Sequence, residues 1–557
     1  MKVALVTTPP SIRSGIGDYT RHRLPYLREH CDVQVFVEEP DGEDWDTEPV
    51  RPVSELDPKA FDQVLYQLGN EQSHAFMLPM IRAIGGTVMQ HDWVLFDLAM
   101  KAYPGLMRGG AKGHALALRE GGFQQASLYS QNWLDRRRER TRPFSEQPTD
   151  ELVGTLLYGW YDAEDAGRWI SDFAAFRIPA AGVTAVEVEL HVDGGRKVSL
   201  SEGGSVRATA EGGSLRAELG GSDHPVLTLH VEGISVTKEQ RKHGDSRRMG
   251  AFVHRVRWHD AEGEHDLDLQ VAAARPHVPV SLSRDRFRLP FNRSVVRFAD
   301  SFIVHSRYVR DLIVADRNSV TPIGIVHHGS ERRWRTTDRV DTRRALGLSN
   351  EWIGSFLVVS FGGVQPHKRV DKAIHALARA RRERDDIRLI LAGSLNHGDF
   401  DPQAMVRGLG LEDAVRFTGF LPEEEAWEWL HAGDIGLNLR GPTSGGTSGG
   451  IFQSFSMGRS VIASDAAEQS ELPASAVVKI PLGSNEIDDL ARTYVELRDD
   501  PQRRASLEDG VRAFVDDECH WSLCAQRYAE CLEAFPRPRV SRKSIIALRL
   551  AMKRSAL

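Results

Sequence analysis

With 557 residues, 41% hydrophobic and 27% charged, the chain has the composition of a soluble protein of roughly two to four domains. A formal net charge of -7 argues against nucleic acid as the main partner, and no run of about 18 apolar residues is present to span a bilayer. Four cysteines (Cys31, Cys519, Cys524, Cys531) show neither metal-site spacing nor a disulfide framework, so a reduced, cytoplasmic setting is expected.

In chain order, 3–6 reads as a buried strand at the start of the chain, which leaves no room for a signal peptide before the fold. The loop 9–18, with Gly15, Ile16 and Gly17, leads to helical spacing over 19–28 and a strand over 33–37. Short β runs at 64–67 and 87–89 end in polar residues: Gln67 and Asn70, then His91 and Asp92. Strands alternating with helices predict a parallel doubly wound sheet, whose ligands sit at the carboxyl ends of its strands. From about Asp150 the pattern changes to period-two runs, such as Val186–Leu190 and Leu227–Val231, several of them separated by Gly-Gly pairs. This predicts an antiparallel sandwich inserted into the first α/β domain.

A second α/β unit follows an Arg-rich connector at 332–344, with strands over 356–360, 388–392, 415–417, 435–439 and 461–463. Its glycine-rich loop (Gly445, Gly446, Thr447, Ser448, Gly449, Gly450) runs straight into a short helix through Gln453. Backbone N–H groups at such a junction, aided by the helix dipole, bind anions; loops of this composition also serve only as turns. Asp399 and Asp401 form an Asp-x-Asp pair read as turn chemistry, so no metal site is expected.

The stretches VVSFGGVQPHKRVDKAI, RLILAG, VRFTGFLPEEEAWEWLHAGDIGLNLR and GGIFQSFSMGRSVIASD resemble the donor-binding half of retaining glycosyltransferases of family 4. TTPPSIRSGIGDYT, LYQLGNEQSHAFMLPMI, TVMQHD, FIVHSRYVR and IGIVHHG are similar to the family's first half, in family order. The resemblance implies the GT-B fold, two doubly wound Rossmann-like domains facing a cleft, here with an all-β sandwich in the first. The domains expected are 1–149 and 283–333 (acceptor side), 150–282 (insert), 334–515 (donor side), a helix at 516–535 and a basic tail at 536–557.

By the same resemblance, Lys368 contacts the donor diphosphate and His91 stands near the transferred sugar. Gly15, Ile16 and Gly17 approach the donor phosphates, while Phe420 and Leu421 frame the base. Gly363, Arg440, Gly446, Thr447, Ser448, Gly449 and Gln453 complete the donor side, and Gln67, Asn70 and Asp92 fall on the acceptor side. Two departures stand out. The family's pair of glutamates around the loop falls on Gly445 or Gly446 and on Gln453. Its phosphate-binding arginine falls on Gly363, which leaves Arg369 to supply that charge.

The implied reaction moves a sugar from a nucleotide diphosphate sugar, a co-substrate rather than a cofactor, to a hydroxyl of a glycan or lipid-linked glycan. It proceeds with retention and without a metal, in surface polysaccharide biosynthesis. A GT-B protein that binds nucleotide or glycan without turnover is the alternative, and an epimerase or phosphorylase a third. In the insert, Trp160, Tyr161, Trp169 and Trp258 either stack on sugar rings or fill its core. The basic tail from Arg537 either lies on an anionic membrane, giving a peripheral location at its inner face, or is a disordered end.

Overall fold

Val3, Ala4, Leu5 and Val6 of the first strand, Lys2–Val6, are wholly inaccessible, as expected where helices cover both faces of a parallel sheet. A computed structural model describes the chain except at residues 13, 41, 43–48, 140–154, 165, 203–204, 234–248, 271–284, 318–320, 336, 396–400, 484, 539, 542, 547 and 550–557. Lys2–Val6 lies between Gln63–Leu68 and Asp32–Val37 in a seven-stranded sheet, all of it parallel. Thr87–Gln90, Ser301–Val304 and Ile323–Ile325 extend it on one side, and Arg51–Pro52 on the other.

Successive side chains of a strand face opposite ways. Val3, Leu5, Val35, Leu65 and Met89 accordingly pack with Leu24 and Leu27 of the helix Gly15–Arg28 and with Tyr528 and Leu532 of Trp521–Ala534. Ala4, Val6, Val64, Tyr66 and Val88 turn to the other face, against Met77, Met80 and Ile81 of Met77–Ile84. Leu548, in the tail, is buried in that second cluster and so is not a free end. The glycines at 15 and 17, expected in a loop, form the first helical turn. Ser14 is extended and its Oγ accepts from Gly17 N at 3.0 Å, capping the helix earlier than its apolar spacing begins.

The chain divides into two compact units: Met1–Trp133 with Asp285–Gly362 and Pro422–Leu557, and Leu134–Arg284 with Gly363–Leu421. The first unit also holds four further parallel strands, Phe356–Phe361, Ile435–Asn438, Val461–Ser464 and Val477–Ile480, paired in that order. In the second unit Ile387–Ala392 pairs in parallel with Val415–Gly419. Parallel strands alternating with helices are the α/β class read from the sequence.

The rest of the second unit is antiparallel. Hydrogen bonds link Ser205–Ala210, Val198–Glu202, Val226–Val231, Gly167–Arg177, Ala251–Asp260, Val183–His191 and Gly213–Ser222 in that order. Leu156–Glu164 and Gly263–Asp266 attach to Gly167–Arg177 and Ala251–Asp260, giving nine strands. The first and last strands of the path are joined only by Glu211 and Gly212, a reach of about 10 Å. These strands enclose one apolar cluster that includes Val188, Leu200, Leu229 and Val253. An antiparallel all-β insert was expected, and antiparallel strands around one apolar core are found. Gly220 and Gly221 (φ 64° and 90°) do not end a strand but bend Gly213–Ser222, where its register shifts after Glu218. The pair at 203–204 lies outside the described residues.

The insert's aromatics serve its packing. Trp160 is 3% exposed and donates from Nε1 to Ala175 O at 2.7 Å, and Tyr161 is buried too. Trp169 and Trp258 are half-buried, against Phe252 and His265. Asp399 lies outside the described residues. Asp401 stands 3.3 Å from Arg168, which is wholly buried.

Candidate functional site

Ile435–Asn438 ends in a buried asparagine, and residues 439–448 then lead into the helix Gly449–Ser456. Ties to the next strand and turn shape this loop. Arg440 N donates to Ser464 Oγ at 2.9 Å, and Thr443 Oγ1 donates to both oxygens of Glu468 at 3.1 and 3.2 Å. Gly445 N donates in turn to Thr443 Oγ1 at 3.0 Å. Gly445 has φ 73°, and a Cβ there would meet Trp93 Cβ at 2.7 Å, so both conformation and space call for glycine. At Gly446 a Cβ would sit 2.1 Å from Asp92 Oδ1. The Arg440 guanidinium lies 3.5 Å from Gly446 O, on the loop itself.

The carboxyl ends of the first-sheet strands supply the other wall. Val94 N donates to Ser444 O and Ser444 Oγ to Asp92 Oδ1, both at 2.8 Å, and Asn70 N donates to Asp92 Oδ2 at 3.0 Å. The Asn70 side chain is occupied elsewhere, accepting from Asp97 N at 2.7 Å and so holding the start of Phe96–Ala102. Ile16 packs where a Cβ on Gly69 would stand, with its Cδ1 2.2 Å from that position. The structure thus brings Asp92, Asn70, Ile16, Arg440, Gly446, Thr447 and Ser448 to one region of the first unit.

His91 lies deeper. It is 9% exposed, its Nε2 is 3.2 Å from Gln67 Oε1, and its ring meets the edge of Tyr19 at 4.7 Å. His305 and His328 also face Tyr19, at 5.3 and 4.9 Å. Burial, then the neighbouring His305 and His328, hold His91 well below the usual imidazole range, so it is neutral at physiological pH. Arg23 is wholly buried beneath this cluster, its guanidinium 4.7 Å from the Tyr528 ring centre and 5.3 Å from that of Tyr19. Burial raises the Glu468 carboxyl above its ordinary range. Gln453 is half-buried on the helix that follows the loop.

Gly363, Lys368, Arg369, Phe420 and Leu421 belong to the second unit. Lys368 closes the short turn Pro366–Lys368, and Arg369 caps the helix Val370–Ala380. Arg369 does so at φ 52°, a left-handed conformation that costs a non-glycine residue about 1–2 kcal/mol. Both side chains are half-buried; Phe420 is 63% exposed.

Sequence reading missed His22. Its Nδ1 is 2.8 Å from Glu331 and its Nε2 3.0 Å from Glu423. Burial opposes its charge, but the hydrogen bonds to Glu331 and Glu423 outweigh that and raise it to about 9. Glu331, which also accepts from Arg333, is held down at about 2, first by His22. No local pattern in the sequence marks it, since the two glutamates are distant from His22 along the chain.

Residues 355–500 match the family model described as Glycosyl transferases group 1. The chain is similar to a GDP-mannose-dependent monoacylated alpha-(1-6)-phosphatidylinositol monomannoside mannosyltransferase of Corynebacterium glutamicum, 27% identical over 223 residues, 36% of this chain and 52% of that one. A D-inositol 3-phosphate glycosyltransferase of Thermobispora bispora is 26% identical over 247 residues, 42% of this chain and 56% of its own. The chain spans about half the length of the curated relatives it matches. Among solved structures, sucrose-phosphate synthase of Thermosynechococcus elongatus aligns at 12% identity and TM-score 0.47, over 95% of this chain and 98% of that one. Anabaena HepE in complex with UDP and glucose aligns at 21% identity and TM-score 0.39, over 45% and 67%.

Proposed function

We propose that this chain moves a sugar from a nucleotide diphosphate sugar to a hydroxyl of a glycan or lipid-linked glycan, as a retaining hexosyl- or deoxyhexosyltransferase of surface polysaccharide biosynthesis. The observation that carries this reading is the match to group 1 glycosyl transferases, because residues 355–500 hold Lys368, Arg369 and the whole glycine-rich loop. Negative charge grows on the diphosphate as the sugar departs, and stabilising that charge is the main task of such a site. In this reading Lys368 and Arg369 meet that charge, without a metal. Attack on the face the diphosphate leaves, with the leaving phosphate taking the acceptor's proton, gives retention. The basic stretch after Arg537, where Ile546 is 53% exposed, is the part that would lie on an anionic membrane.

Thermal unfolding in EDTA with GDP, UDP, ADP and dTDP tests the donor site. GDP heads the panel because the Corynebacterium relative is named for GDP-mannose. A ligand at about 100 times its Kd adds about 2.7 kcal/mol to the stability of the unit that binds it. No shift with any of the diphosphates removes the donor site and the reading with it.

A further inference from the structure

The helix Gly110–Glu139 turns back on itself at Gly122 (φ 70°). A Cβ on Gly109 would meet Trp133 at 2.6 Å, and one on Gly113 would meet Tyr129 Oη at 2.5 Å. The two halves therefore run antiparallel, as a helical hairpin. Its reversal presents Phe123, which is 82% exposed. Ala111, Lys112, Ala115, Leu118 and Arg119 are exposed at helical spacing along the first half and lead to that end. Glu120, the one acidic residue between positions 101 and 133, is 1% exposed and accepts from Arg119 Nε at 2.6 Å.

The neighbouring helix, Arg293–Phe298, continues this pattern. A Cβ on Gly122 would lie 3.0 Å from Arg293 Nη1, and Phe291 N donates to Gln125 Oε1 at 2.9 Å, so this helix starts beside the reversal. Arg293 and Arg297, one turn apart, are both exposed. Phe298 is exposed as well, with the guanidinium groups of Arg82 and Arg297 5.3 and 5.7 Å from its ring centre. Asp316 is an acidic group that feels the charge of Arg293.

Large apolar side chains exposed in one region mark a binding surface. Protein–protein interfaces keep charge out of their apolar centre. Here cations adjoin the apolar side chains directly, in Leu118-Arg119, in Arg297-Phe298 and around Gly122. That mixture suits the boundary between lipid headgroups and acyl chains, which apolar side chains enter while cations on long stems reach the phosphates. The chain as a whole carries a charge of -7, so attraction to an anionic surface has to come from a local patch of this kind.

We propose that the reversal of this hairpin, with Arg293–Phe298 beside it, is a docking surface for an anionic phospholipid membrane. Phe123 and Leu118 enter the interface, and Arg82, Arg293 and Arg297 meet the phosphates. The surface goes beyond the donor reading, uses none of its residues and is separate from the basic tail.

The experiment measures co-sedimentation of the full chain with vesicles of phosphatidylcholine, alone or with about 30% phosphatidylglycerol. The parent is compared with Phe123→Ser, with Arg293→Gln plus Arg297→Gln, and with a tail variant, Lys543→Gln plus Ile546→Ser. Unchanged thermal unfolding midpoints show that each variant is folded. The parent should bind the anionic vesicles about tenfold or more tighter than the neutral ones. Phe123→Ser and the double arginine variant should each weaken that binding about fivefold or more. A parent that does not prefer anionic vesicles overturns the docking surface. So do folded Phe123→Ser and double arginine variants that bind as the parent does, and if the tail variant alone loses binding the contact belongs to the tail. GDP and UDP titrations of the same samples keep the two readings apart. Diphosphate binding without vesicle binding removes the docking surface alone, and vesicle binding without diphosphate binding removes the donor site alone.

Discussion

Asp92 Oδ1 accepts a 2.8 Å hydrogen bond from Ser444 Oγ, across 352 residues of sequence. The other carboxylate oxygen accepts from Asn70 N at 3.0 Å. One side chain thus fastens the glycine-rich loop to the carboxyl ends of two first-sheet strands, and Gly446 has no side chain because Asp92 occupies the place of one.

Gly446→Ala should therefore destabilise the protein by about 1–3 kcal/mol, the usual cost of overpacking. The same substitution in an Asp92→Ala background should cost less, since the opposing carboxylate is gone. Chemical denaturation of the parent, both single variants and the double variant gives the coupling energy. Additive losses would place Asp92 away from Gly446.

Lys368→Ala should weaken nucleoside diphosphate binding by about 1.5–3 kcal/mol, the size of a charge-assisted hydrogen bond, and leave nucleoside binding unchanged. Calorimetric titration with both ligands checks this. Equal losses for the two would assign Lys368 to the fold of its turn.

The His22 network sets a pH window. In the fold His22 titrates at about 9, against ~6.5 in an unfolded chain. Its stabilisation is complete below ~6.5 and is lost as pH rises through about 9. Glu331 acts in the opposite sense: its folded value of about 2 makes its contribution complete above ~4.3 and lost as pH falls towards 2. Parent and His22→Gln, unfolded by urea between pH 5 and 10, should differ by about 1–3 kcal/mol at pH 6 and converge near pH 10. A difference that stays constant across that range would mean His22 is not charged in the fold.

Asp401→Ala should destabilise the second unit by about 1–3 kcal/mol, the size of a hydrogen bond between charged groups, because it removes the carboxylate 3.3 Å from the wholly buried Arg168. Replacing both partners, Arg168→Met with Asp401→Ala, should restore part of the loss. Denaturant midpoints of the three variants settle the comparison.

The parallel strands were legible because both faces of each are covered, so Val3–Val6 and Val461–Ala463 read as unbroken apolar runs. The start of the first helix was misread because glycines at 15 and 17 signal a loop locally, whereas Ser14 capping decides the matter. Gly220-Gly221 imitates a turn but bends a strand in place, since pairing on both sides of it overrides the local signal. Trp160 carries no mark in sequence that tells a core tryptophan from a sugar platform; its bond to Ala175 O exists only in the folded sheet. The same holds for Leu548, whose basic neighbours suggest a solvated tail while the side chain packs under the first sheet. That Gln67, Asn70, His91 and Asp92 lie at or just beyond strand ends was legible from topology alone. Their partners, such as Ser444 for Asp92 and Glu331 for His22, were not, because long-range pairings leave no local pattern.

Release of nucleoside diphosphate from a panel of nucleotide sugars, GDP-mannose first, with and without glycan and lipid-linked acceptors and in EDTA, bears most directly on sugar transfer. Release that depends on an acceptor and produces a glycoside of the donor's anomeric configuration is the expected outcome. Tight diphosphate binding with no acceptor-dependent release from any donor would instead make the chain a nucleotide-binding relative without turnover.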